Sequence, residues 1–309
     1  MPLRVAIVHR LAVVYHYGGK ADVSFPQVFL CDLIPHRQED ALIVILECFF
    51  DGGNKSDSRE YDFVTLAAVA ATFHYWKPFE KAWKRNLEKH GASYLHTSDA
   101  VVGNTPYSRD EGWDRNRIDN FLLDCVKIAG KHLARPIVDD DPGRIGIYPC
   151  TVTVNLKDYK RAQSEGFDIP HCVDEELATQ GLRKCVKYAQ RHGPATYLSF
   201  VFDQNEPFRG HIIDRQRNSK FVRMFPEIKD VISNTEADMR FVPALQLADL
   251  LAYCYSHRFD EGEKFRWEEK MLAHPIDRGI ANYESWSNPL TANIELARSM
   301  KFPRRAATR

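Results

Sequence analysis

The sequence predicts an α/β protein built as a mixed layer fold. Three observations carry that expectation. Apolar runs over 41–50 and 196–202 are each stopped by turn-forming residues, Asp51-Gly52-Gly53-Asn54 and Asp203-Gln204-Asn205. A short apolar run closed in this way reads as a buried strand. Segments 75–90 and 113–133 carry Trp76, Phe79, Trp83 and Leu87, and Ile118, Phe121, Leu122 and Cys125, at helical spacing, which reads as amphipathic helix. Segment 243–257 opens on Pro243 and is apolar on nearly every side, as a fully buried helix is.

Composition narrows the class. The chain has 309 residues, 44% hydrophobic and 27% charged, with 42 basic and 42 acidic side chains. Its net charge of zero gives no global basic field of the kind non-specific nucleic-acid binders carry. Seven cysteines are scattered without a C-x-x-C pair; reduced thiols and a cytoplasmic location are the expectation, not zinc or disulfides. No apolar run approaches the roughly 20 residues of a membrane span, and no signal-peptide pattern opens the chain.

Taken in order, residues 1–40 hold neither a capped helix nor a clean hairpin and are expected to be a weakly ordered extension. Strand 41–50 follows, with Glu47 on the same face as Asp51. Segment 63–73 reads as its hairpin partner, and helix 75–90 ends at Gly91. Residues 93–97 read as a short strand leading into Ser98-Asp99, and 104–112 as a polar loop. After helix 113–133 come strand candidates 134–138 and 147–156, separated by a turn at 139–143. Helix 174–192 is expected to start on Asp174 as its cap. Strand 196–202 ends at Asp203. Residues 205–218 read as a loop with one helical turn, and 221–231 as a short helix. Beyond the 243–257 helix, 261–273 reads as an exposed helix, and the chain ends in a charged region with a basic tail over 301–309.

Three acids share a context. Asp51 and Asp203 each end a buried strand, and Asp249 is the one formal charge on the apolar helix. Ligand sites in α/β folds gather at strand ends. A buried carboxylate is costly unless it is paired or bound to a cation. Three converging acids raise one another's pKa, and a divalent ion reverses that logic. Mg²⁺ or Mn²⁺ suits such hard oxygen donors, and two such ions can clamp the attacking and leaving oxygens of a phosphoryl displacement. Nucleophile-elbow, zinc-protease and phosphate-loop motifs are absent from the sequence. Glu47, His96, Asp99, Glu206 and Gln246 are candidate accessories. For each, ordinary loop, edge or hydrogen-bonding roles stand beside the functional one.

Phe49-Phe50-Asp51-Gly52-Gly53-Asn54, Phe200-Val201-Phe202-Asp203-Gln204 and Ala244-Leu245-Gln246-Leu247-Ala248-Asp249-Leu250-Leu251-Ala252 are similar to three motifs of the DUF3800 proteins, a bacterial and phage family assigned to the ribonuclease H-like fold. The resemblance implies a ribonuclease H-like domain over 41–260. Its mixed central sheet would open with an antiparallel meander and be flanked by helices. It also implies that Asp51, Asp203 and Asp249 bind Mg²⁺ or Mn²⁺ and act on nucleic acid, DNA or RNA. The chain departs from the family at Gly52, where the family carries Glu; Glu47, Asp99 and Glu206 are the candidates to compensate. The expected function is a metal-dependent phosphodiesterase or nuclease. The alternative is a non-catalytic binding or regulatory module on the same fold. A metal-free hydrolase with paired carboxylates is a third reading that no motif favours.

Overall fold

The computed structural model describes residues 44–53, 62–134, 146–166, 170–190, 196–204, 206–218, 223, 231–259 and 265–273. The expectations for 1–40, the strand and turn over 135–143, nearly all of the helix at 221–231, and the tail lie outside the described residues. The described strands are β1 (Val44–Gly53), β2 (Phe63–Ala71), β3 (Tyr148–Asn155), β4 (Thr196–Asp203) and β5 (Val231–Ala237). The described helices are α1 (Phe73–His90), α2 (Thr97–Val102), α3 (Arg115–His132), α4 (Leu156–Ser164), α5 (Val173–Gln190), α6 (Phe208–Arg217), α7 (Pro243–Ser256) and α8 (Arg266–Ala273).

The strands form one mixed sheet in the order β3-β2-β1-β4-β5. β1, β2 and β3 make an antiparallel meander; β4 is parallel to β1, and β5 is parallel to β4. Alternation along β1 separates two cores, as a pleated strand requires. Leu46, Cys48 and Phe50 pack beneath α4, α5 and α6, while Phe49 packs with α1, α3, α7 and α8. The sheet is thus the middle of three layers. Asp51 shares the parity of Phe49 and faces the α7 layer.

Small residues let α7 lie close. Ala67, Val69 and Ala71 of β2 face it, and Gly53 ends β1 directly beneath it. A Cβ on Gly53 would stand 2.7 Å from the Ala252 carbonyl oxygen. The alanine-rich middle of β2 is therefore a seat for this helix.

Several expectations need correction. Residues 93–97 are not a strand: Thr97 begins α2. Residues 208–217 form a full helix, because Phe208 and Ile212 bury one face against α5 and the sheet. Val231–Ala237 is a strand, polar because it lies at the sheet edge. Helix α8 is not an exposed helix, since Trp267 and Met271 are fully buried. The start of α5 is held by Cys172, whose Sγ accepts the Glu175 N–H at 3.3 Å, in the role expected of Asp174.

Candidate carboxylate site

The sheet register brings two acids together before any side chain is considered. Phe50 of β1 pairs with Phe202 of β4 in parallel register. The next residues, Asp51 near the end of β1 and Asp203 at the end of β4, therefore share one face of adjacent strands, with strand axes about 5 Å apart. Helix α7 crosses this end of the sheet and brings Asp249. Glu206, in the turn between β4 and α6, closes the group from the other side.

Each acid but Asp51 has one oxygen fixed by a donor of known geometry. Asp249 Oδ2 accepts the Thr97 N–H at 2.7 Å and the Thr97 hydroxyl at 2.6 Å. Asp203 Oδ1 accepts the Met239 N–H at 3.0 Å. Glu206 Oε2 accepts the Gly52 N–H at 3.1 Å. A Cβ on Gly52 would meet the Phe208 ring at 2.5 Å and Glu206 Oε1 at 3.0 Å. Glycine at 52 thus makes room for Glu206 and for the buried start of α6.

The electrostatics follow from this crowding. Burial, then the charges of Asp249, Glu206 and Asp203, push Asp51 well above the usual carboxylate range. Burial also raises Glu206, to about 7, with Asp203 and Asp174 adding to it. The Glu206 charge is among the causes of the Asp51 rise, so the two carboxyls resist ionising together. Burial raises Asp203 and Asp249 as well, although the His96 charge and the Thr97 donors pull Asp249 down.

His96 and Asp99 flank the cluster. Asp99 Oδ2 lies 2.7 Å from His96 Nδ1. Burial lowers the His96 pKa, but Asp249, Asp99 and Asp203 together outweigh it, and the net shift is upward. The surrounding acids thus favour the charged form of His96 beside Asp249, and Asp99 orients the ring.

The remaining accessory candidates take other roles. Glu47 is not in the cluster: it lies two pleats back, where burial and Glu80 raise its pKa to about 7. Gln246 is occupied as a clamp. Its Oε1 accepts Trp83 Nε1 at 2.8 Å and the Leu95 N–H at 3.0 Å, and its Nε2 donates to the Met239 carbonyl at 2.8 Å. Sequence reasoning missed Thr97 and the Met239 and Gly52 amides. Thr97 directly follows His96, but backbone donors leave no mark in a sequence.

The donor set is all oxygen, which suits a hard divalent cation, and the upward pKa shifts are what positive charge would relieve. Among the described residues, no group of three or more His, Cys, Asp or Glu side chains stands ready to hold a metal ion. Cation binding here would require the raised carboxyls to give up their protons.

Comparison with protein-family models and with curated proteins gives no match. Among solved structures, the chain is similar to a chain in the PCNA:RNase HII complex from Archaeoglobus fulgidus, at 10% identity and a TM-score of 0.32, covering 86% of this chain and 95% of that one. So distant a likeness assigns no role to any residue here. No helix among the described residues is long and apolar enough to cross a membrane.

Proposed function

We infer that the protein is a Mg²⁺- or Mn²⁺-dependent phosphodiesterase, a nuclease of the ribonuclease H-like class related to the DUF3800 proteins. One observation carries the reading. Four carboxylates, Asp51, Asp203, Glu206 and Asp249, come from three separate parts of the chain to one end of the sheet, where like charges repel unless a cation joins them. The antiparallel meander continued by parallel strands supports the fold that the DUF3800 resemblance implies.

Asp51 and Glu206 would hold the cation together with Asp203 and Asp249. When bound, a divalent ion supplies Lewis-acid stabilisation of the charge that develops on phosphate oxygens. The chain's own part is orientation. Thr97, Met239 and Gly52 each aim one oxygen, of Asp249, Asp203 and Glu206 in turn, as outer-shell donors do at metal sites. His96, held by Asp99, carries a proton at the edge of the cluster.

The test is cleavage of mixed DNA and RNA substrates with and without Mg²⁺ or Mn²⁺, paired with thermal melting under the same conditions. Asp51→Asn and Asp249→Asn are each expected to abolish divalent-dependent cleavage, to lose the stabilisation by metal, and to stay folded. Retained cleavage in both variants ends the hypothesis. A wild-type protein that neither cleaves nor melts higher with either ion favours the binding module instead.

A further inference from the structure

The single 3₁₀ turn Met239–Phe241 precedes α7 and does two things at once. Its first residue holds Asp203 through the Met239 N–H. Its other two residues face solvent beside the cluster: the Arg240 side chain is 59% exposed and Phe241 is 50% exposed. Asp238 grips the Arg240 guanidinium, with Nε 3.0 and 2.9 Å from its two oxygens. The guanidinium carbon stands 5.8 Å from the Phe241 ring centroid.

An exposed apolar side chain is common and needs no special role. At this position the ordinary role would be a hydrophobic staple, in which the residue before the N-cap packs on the fourth helical residue. Here Val242 is the N-cap and the fourth helical residue is Gln246, whose amide is fully used by Trp83, Leu95 and Met239. Phe241 has no such partner and stays half in water. Of the other exposed large apolar residues among the described ones, Phe73 begins α1 near the opposite end of the sheet, two residues past Ala71, which pairs with Glu47.

We propose that Phe241, with Arg240 beside it, forms a stacking platform that takes the unpaired bases of a single-stranded nucleic acid and leads the strand past Asp203 into the carboxylate cluster. The proposal rests on the nuclease reading and narrows its substrate. A polyanion gains nothing from four carboxylates alone, and the chain has no net positive charge to attract it. Base stacking on an aromatic face, with an arginine alongside, supplies affinity that does not depend on net charge. Bases inside a duplex are already stacked and cannot reach a ring that stands out from the surface, so the fitting partner is single-stranded.

The experiment is fluorescence anisotropy on the full chain carrying Asp51→Asn, so that binding is read without cleavage. The probes are short labelled oligothymidylate and oligouridylate, the same deoxy-oligomer with abasic sites, and a duplex of equal length. Adding Phe241→Ala is expected to weaken single-strand binding about tenfold, with Phe241→Trp restoring it. The abasic and duplex probes should bind the Phe and Ala forms equally, and melting temperatures should not change. Equal single-strand binding by the Phe and Ala forms on both oligomers overturns the platform and leaves the nuclease reading standing. Base-dependent binding by a protein whose wild-type form never cleaves upholds the platform and removes the nuclease reading. No binding of any probe overturns both.

Discussion

Replacing Glu206 by Gln should stabilise the metal-free protein at alkaline pH, although it removes a hydrogen-bonded carboxylate. Glu206 has a folded pKa of about 7 against an ordinary 4.5. As pH rises, the unfolded chain gives up this proton first, so folding stability is full below the unfolded value and falls until the folded pKa is passed. By about pH 8 the loss amounts to about 3 kcal/mol. Glutamine cannot ionise and escapes that loss. It keeps the Gly52 N–H at 3.1 Å but as a neutral acceptor, which gives back about 1 kcal/mol. The net gain is about 2 kcal/mol, or about 4–8 °C in melting temperature for a domain of this size. Melts in EDTA at about pH 5 and pH 8 measure it: the variant should gain only at the higher pH. Mg²⁺ or Mn²⁺ should then raise the wild type more than the variant, because cation binding recovers what repulsion removed. A variant that melts below the wild type at the higher pH, or gains equally at both, refutes the idea that Glu206 belongs to a strained acidic cluster.

Two further substitutions test the supports of the site. Thr97→Val deletes the 2.6 Å hydroxyl donor to Asp249; a loss of about 1.5–3 kcal/mol by urea denaturation is expected, with Thr97→Ser restoring most of it. An unchanged midpoint would show that this bond does not hold Asp249. Gly53→Ala drives a Cβ to 2.7 Å from the Ala252 carbonyl oxygen and should destabilise by about 1–3 kcal/mol. The control is Gly210→Ala, where nothing lies within 4 Å and a helical glycine should gain about 0.5–1 kcal/mol. Equal effects at the two glycines would contradict the close seat of α7.

What could be read from the sequence tracks what periodicity records. Strands β1 and β4 announce themselves through dense apolar runs stopped at Asp51 and Asp203, and α7 through Pro243 and its unbroken apolar surface. Those three elements bring three of the four acids. Glu206 was hard to promote because its neighbours form a polar segment in which only Phe208 and Ile212 mark a helix. Edge strand β5 carries Ser233, Asn234, Thr235 and Glu236 and lacks the apolar alternation of a half-buried strand. Helix α8 reads as solvent-facing in sequence because its buried apolar side chains, Trp267, Met271 and Leu272, stand among four charged residues. Glu47 shows the limit of parity: strand alternation puts it on the Asp51 face, and the two pleats between them keep it out of the cluster.

The Gln246 clamp has a consequence for when the site can exist. Two of its three partners, Trp83 and Leu95, lie 163 and 151 residues before it, while Met239 lies 7 residues before it. Through Leu95 and Met239 the clamp is tied to the neighbourhoods of Thr97 and Asp203. Domains fold as they emerge during synthesis, yet a nascent chain that stops short of α7 lacks Gln246 and Asp249 together. The carboxylates of β1 and β4 would then stand without the helix that completes them. The four-carboxylate cluster is therefore complete only once α7 has been made.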